Sequence, residues 1–115
     1  MEINISTKGN GVKVVQIIGK LDNSSYGKFQ DQISDLINKD CKIIFDMSRC
    51  DFVSSAGCRA LLVTSRDVEE ENGKFAVFGM NDTIIDIMNI TGFDNIFEVY
   101  NTLSEAIAAI LKEDM

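Results

Sequence analysis

The sequence predicts an α/β fold in one domain over residues 1–115: a mostly parallel, mixed β-sheet opened by an antiparallel hairpin and carrying about four helices. Three observations predict it. Two β-rich runs, Ile3 to Thr7 and Val12 to Ile18, flank Gly9-Asn10-Gly11, whose residues suit the positive φ of a tight turn. Downstream, helical stripes alternate with short apolar runs, the order that right-handed crossovers onto parallel strands require. The chain has 115 residues, 45% of them hydrophobic and 25% charged, which suffices for one buried core and leaves no room for a second domain.

Each element has a local reason. Ile3, Ile5 and Thr7 alternate with polar neighbours, and Val12 to Ile18 runs on to Gly19, giving the two hairpin strands. After Gly19-Lys20-Leu21-Asp22, Asn23 or Ser24 is placed to cap a helix whose apolar positions Tyr26, Phe29, Ile33, Leu36 and Ile37 recur every three or four residues. Cys41 to Phe45, interrupted only by Lys42, reads as a strand covered on both faces and ends in Asp46-Met47-Ser48. A second helix begins near Ser55, sets Cys58, Leu61, Leu62, Ser65 and Val68 on one stripe, and stops at Asn72-Gly73, where the glycine suits a left-handed cap.

Phe75 to Phe78 is the next strand. Asn81 or Asp82 caps a short third helix carrying Ile84, Ile87 and Met88 and ending at Gly92, and Ile96 to Val99 reads as the last strand. Thr102-x-x-Glu105 is a capping box for a final helix with Ala106, Ile107, Ile110 and Leu111 on one stripe and Lys112 near the negative end of its dipole. The acidic tail beyond it is expected to fray. The order is β-β-α-β-α-β-α-β-α.

Composition narrows the function. Eleven Lys and Arg against 18 Asp and Glu give a net charge of −7, which argues against nucleic acid or an anionic membrane surface as partner. The absence of histidine removes Ser-His-Asp and Cys-His nucleophile systems and every imidazole metal site. Cys41, Cys50 and Cys58 lack the Cys-x-x-Cys spacing of zinc and redox sites and read as buried thiols. The first eight residues alternate apolar and polar, unlike a signal peptide, and no run reaches membrane-spanning length. The expectation is a cytoplasmic protein without membrane insertion, metal or cofactor, and not an enzyme.

One stretch stands out. From Asp46 to Gly57 a buried strand runs through a short polar loop straight into a helix start, the edge at which parallel sheets place ligands. Ser55, as the cap, would hold its hydroxyl at the positive end of the helix dipole, beside the unpaired amides of Ala56, Gly57 and Cys58. A phosphoryl group there adds about −1.5 to −2 charges and three acceptor oxygens, which the helix end favours and a partner senses. Serines at this position are also ordinary caps, and spacing alone does not separate the two readings. An enzyme built on Ser55 or Cys58 would need Lys or a carboxylate as its base.

This segment resembles the phosphorylation loop of the STAS family, the domain named for sulfate transporters and anti-sigma factor antagonists. Gly19-Lys20-Leu21-Asp22 is similar to the family's Gly-x-Leu-Asp before the first helix, Asp46-Met47-Ser48 to its strand-ending Asp-x-Ser, and Thr91-Gly92-Phe93 to its small-Gly-aromatic step after the third helix. The resemblance implies that Ser55 is the serine that a partner kinase phosphorylates and that Gly57 is the motif glycine. The family's common form reads Asp-Ser-Ser/Thr-Gly; here Ser54 stands at the acidic place and Ala56 replaces the second hydroxyl, and Ser-Ser-Ala-Gly resembles a recognised variant. Asp22, Asp51, Ser54, Ala56, Gly57 and Arg59 are the expected surroundings of the loop and its partner surface.

The resemblance implies an anti-sigma factor antagonist. Unphosphorylated, it binds an anti-sigma factor serine kinase and releases a sigma factor; phosphorylation at Ser55 inactivates it and a serine phosphatase restores it. The alternative is a constitutive STAS scaffold or ligand-sensing module in a transporter-linked or signalling assembly, with Ser55 only a cap. A response-regulator receiver, suggested by Asp46 after an apolar run, lacks the acidic pair after its first strand and the late Lys-Pro. Gly9-Asn10-Gly11 lacks the spacing of a phosphate loop. Met80, Ile84, Ile87, Met88 and Phe93 read as core rather than as an exposed patch. Arg59, Arg66 and Asp67, and the acidic run to Glu71, read as a solvated helix face.

Overall fold

Gly9-Asn10-Gly11 reverses the chain as expected: Asn10 and Gly11 adopt φ of 63° and 74°, conformations open to Asn and Gly. In the computed structural model, which describes residues 1–92 and 98–112, β1 (Glu2–Thr7) pairs antiparallel with β2 (Val12–Leu21), Ile3 opposite Ile17 and Ile5 opposite Val15. The remaining elements are α1 (Tyr26–Ile33), β3 (Lys42–Asp46), β4 (Cys50–Val53), α2 (Ser55–Glu70), β5 (Lys74–Phe78), α3 (Asp82–Thr91), β6 (Val99–Tyr100) and α4 (Leu103–Lys112). The sheet runs β1-β2-β3-β5-β6, with every pairing beyond the hairpin parallel. This is the predicted α/β class, with four helices among the described residues.

Both faces of the sheet are covered, which is why β3 reads as a continuous apolar run. Ile43 and Phe45 point into the larger core with Val15, Ile17, Phe29, Leu61, Val77 and Met88, whereas Ile44 joins Val12, Val14, Ala76, Ala106 and Ile110 on the side of α4. Phe45 lies between two tilted rings, 5.4 Å from Phe29 and 5.3 Å from Phe75 between centroids, an arrangement aromatic pairs favour. The stripe on α3 is core as read: Ile84 and Met88 are buried, Met80 and Ile87 pack against them, and Phe93 lies outside the described residues.

Four expectations change. The polar loop expected between β3 and α2 contains a strand, β4, parallel to the end of β2 with Gly19 opposite Cys50 and Leu21 opposite Val53. The ten residues of β2 outlast the five of β3 and so pair with two strands in succession. Neither Asn23 nor Ser24 caps α1. Ser25 precedes its first turn, and that hydroxyl is committed to the loop, donating to the Lys20 carbonyl at 2.9 Å and accepting the Asp22 amide at 3.0 Å. The helix then closes with a short 3-10 turn, Ser34–Leu36.

At the end of α2 the left-handed residue is Asn72, φ 58°, and not Gly73. Gly73 is needed for closeness: a Cβ there would stand 2.6 Å from the Cys41 carbonyl oxygen. The last strand is β6 at Val99–Tyr100; residues 96 and 97 of the expected strand, and the tail from 113, lie outside the described residues. The caps of α3 and α4 follow expectation. Asn81 Oδ1 accepts the Ile84 amide at 2.8 Å, Gly92 closes α3 at φ 80°, and Thr102 and Glu105 exchange the reciprocal bonds of a capping box at 3.2 and 3.1 Å.

Candidate functional site

The site is built where β4 runs into α2, beside the loop that ends β2. Val53, fully buried, anchors the end of β4. Ser54 follows in extended conformation, and its amide donates to the Leu21 carbonyl at 2.9 Å, continuing the ladder for one more residue. Ser54 then caps α2: its Oγ accepts the Gly57 amide at 3.2 Å and its carbonyl accepts the Cys58 amide at 2.8 Å. Two of the four amides at this helix end, those of Ser54 and Gly57, are thereby satisfied, and those of Ser55 and Ala56 have no partner among the described residues. The cap is Ser54, one residue earlier than the sequence expectation.

Ser55 is therefore the first helical residue. Its hydroxyl is exposed and has no protein partner among the described residues. Ala56 beside it is half-buried, and Gly57 is buried against β2 and β4. A Cβ on Gly57 would collide with the Leu21 carbonyl oxygen and come within 2.8 Å of Val53 Cγ1, so only glycine lets the first turn lie this close to the sheet. Cys58, one residue further, is fully buried, and desolvation pushes its thiol pKa up; it is kept neutral and out of reach of solvent.

The β2–α1 loop borders the site and is ordered by Asp22. Its Oδ1 accepts from the Ser24 hydroxyl at 2.7 Å, the Ser24 amide at 3.0 Å and the Ser25 hydroxyl at 3.3 Å. The Ser24 hydroxyl, then the Ser24 amide, hold the Asp22 carboxyl below the usual carboxylate range. Asp22 is thus spent on its own loop, and the residue that crosses to the site is Asn23, whose Oδ1 accepts the Ser54 hydroxyl at 3.3 Å. Sequence reading placed Asn23 at a helix cap and missed this contact. The only local signal was its position directly after Leu21-Asp22.

Asp51 lies exposed on β4. Its carbonyl, with that of Cys50, takes the Asn81 side-chain amide at 3.4 and 3.3 Å, so the residue capping α3 also pins that helix to the strand leading into the site. Arg59 is exposed one turn beyond Ser55. It rims a groove of about 340 Å³ between α1 and α2, lined also by Tyr26, Gln30, Ala56, Ala60 and Val63. The structure brings Ser54, Ser55, Ala56, Gly57 and Arg59 together on α2 and leaves Asp22 and Asp51 at the margins. Among the described residues no cluster of three or more Cys, Asp or Glu could hold a metal ion, and no helix is long and apolar enough to cross a membrane.

An exposed serine hydroxyl at a helix N-terminus, set off from the residue that caps it, can accept a charged group without loss of the helix. Proteins similar in sequence include the anti-sigma-F factor antagonist RsfB of Mycobacterium tuberculosis, 24% identical over 102 residues, which cover 88% of this chain and 83% of that one. A crystal structure of an anti-sigma factor antagonist from Mycobacterium paratuberculosis superposes with a TM-score of 0.83 at 24% identity over 95% and 92% of the two chains. The Bacillus cell fate determinant SpoIIAA in its phosphorylated form superposes with a TM-score of 0.70 at 21% identity over 95% and 99%. The model of the STAS domain matches residues 4–106, from the hairpin through the first turn of α4, and by that match the chain belongs to the STAS domain family.

Proposed function

We propose that this chain is a phosphorylation-controlled anti-sigma factor antagonist. In the unphosphorylated state it binds an anti-sigma factor that is also a serine kinase and so frees a sigma factor; phosphorylation of Ser55 ends that binding, and a serine phosphatase resets it. The observation that carries the reading is the division of labour between two adjacent serines. Ser54 holds the helix, so the Ser55 hydroxyl is left exposed and uncommitted at the positive end of α2. The relatives named as anti-sigma factor antagonists, and a structural neighbour solved in a phosphorylated form, support it.

The chemistry in this reading belongs to the kinase. The Ser55 oxygen attacks the γ-phosphorus of the kinase's ATP, the bond to the ADP leaving group breaks, and the hydroxyl proton passes to a base on the kinase. This chain contributes the positioned hydroxyl, the amides of Ser55 and Ala56 to receive the new charge, and Gly57, which lets the turn sit against the sheet. The phosphate places about two negative charges where an uncharged hydroxyl had been, and a partner packed against it loses contact and gains repulsion.

The test uses an anti-sigma serine kinase from the source organism. Incubation with ATP is expected to phosphorylate Ser55 alone, as located by mass spectrometry, and Ser55→Asp is expected to weaken kinase binding at least tenfold by calorimetry. Phosphate on another residue, or equal affinity of wild type and Ser55→Asp, would overturn the switch and leave a constitutive scaffold or ligand-sensing module.

A further inference from the structure

We infer that Arg59 reads the phosphate on Ser55 within this chain, pairing with it along α2 and leaving the rim of the α1–α2 groove as it does so. The inference rests on Ser55 being the phosphorylated residue and adds what the protein itself does once the phosphate is there. The two residues are four apart in one continuous helix, so their side chains lie on the same face one turn apart, about 5–6 Å between Cβ atoms. Both are exposed, and Arg59 has no ion pair or hydrogen bond among the described residues, so no existing bond holds it back.

The order along the helix is the favourable one, anion N-terminal to cation, in line with the dipole. Arginine suits the role, because its planar fork matches two phosphate oxygens at once and its long stem spans a helical turn. The choice of residue is notable in this chain. With a net charge of −7 it has only three arginines, Arg49, Arg59 and Arg66, and one of them stands one turn from the phosphoacceptor.

The groove supplies the consequence. Arg59 shares its rim with Tyr26 and Gln30 of α1 and with Ala56, Ala60 and Val63 of α2. A guanidinium drawn back toward residue 55 leaves the rim it shares with Ala60 and Val63 and removes a positive charge from beside Tyr26. Phosphorylation then alters the surface in two places, at Ser55 and over the groove, and a partner that spans α1 and α2 senses both.

The experiment places phosphoserine at position 55 by translational incorporation, so that no kinase is needed, and follows the phosphate by ³¹P NMR from pH 4 to 8. The charged groups on the neighbouring elements, Lys20 and Asp22 at the end of β2 and its loop, Lys28 on α1 and Asp51 on β4, are the same in every variant compared. In low salt the second ionisation of the wild-type phosphate is expected to fall about 0.3 pH unit below that of Arg59→Gln, the size an exposed one-turn pair provides, with Arg59→Lys recovering most of the difference. The difference should shrink strongly in 1 M salt. The amide signals of Tyr26 and Ala60 should shift on phosphorylation in wild type and not in Arg59→Gln. Equal titration in wild type and Arg59→Gln would overturn the inference while leaving the kinase-binding switch intact; loss of that switch would be seen separately, as equal partner affinity of the phosphorylated and unmodified proteins.

Discussion

The Ser54 hydroxyl donates to Asn23 Oδ1 at 3.3 Å while accepting the Gly57 amide at 3.2 Å, so one side chain ties the first turn of α2 to the loop that ends β2. The start of the site helix is thereby held from two sides. The cap fixes its direction and Asn23 fixes its position against the neighbouring loop.

Ser54→Ala removes both bonds and leaves the Gly57 amide without its acceptor. It is expected to destabilise the protein by about 1 kcal/mol, within the usual range for an N-cap serine. Ser54→Asp retains an acceptor for that amide and adds a negative charge at the positive helix end, and should recover most of the loss. Asn23→Ala, which breaks only the exposed bond, should cost less than Ser54→Ala. Urea unfolding of the three variants against wild type measures the order.

Gly57→Ala meets backbone rather than a movable side chain, since the added methyl runs into the Leu21 carbonyl oxygen. The helix start must shift away from β2, which opens the contact between Gly57 and Val53 and strains the Ser54 cap. The expected cost is about 1–3 kcal/mol, the range for forcing a methyl into a filled space. Thermal unfolding gives the magnitude, and chemical-shift changes confined to residues near Leu21 and Ser54 would identify the cause.

Asp22 links stability to pH. Its carboxyl is held below the ordinary value of 3.8 by the Ser24 hydroxyl and amide, so the folded state favours the charged form. A depressed folded pKa contributes stability that is present above the unfolded value and disappears as pH falls through the folded one. Asp22→Asn is therefore expected to be less stable than wild type at pH 7 and to approach it as pH is lowered below 3.8. Denaturant unfolding at a series of pH values checks the convergence, and a gap that stays constant with pH would assign the loss to packing instead.

Much of this molecule could be read from the chain because its signals are local. The left-handed turn at Asn10 and Gly11, the caps at Asn81 and at Thr102 with Glu105, and the closure of α3 at Gly92 all depend on groups within a few residues of one another. The alternation of helix stripe and apolar strand likewise reflects faces that each element must bury. Ser55, Gly57 and Arg59 could be named as candidates for the same reason, as neighbours in a single segment.

What escaped the sequence depends on residues that meet only after folding. β4 is four residues with buried ends and exposed middle, too short for a period, and it is a strand because the last part of β2, far earlier in the chain, offers it a partner. Two adjacent serines are equally good caps in sequence. Tertiary structure selects Ser54, because the Leu21 carbonyl takes its amide and Asn23 takes its hydroxyl. Asn72 takes the left-handed conformation at the end of α2 while Gly73 is pressed against Cys41, a contact between segments that no local pattern announces. The chain alone therefore determined the order of every element but β4, and the segment that carries the candidate site, because hydrogen bonding and burial period are local. Which hydroxyl is held and which is left free was decided by the sheet, because it brings Leu21 and Asn23 to the start of α2.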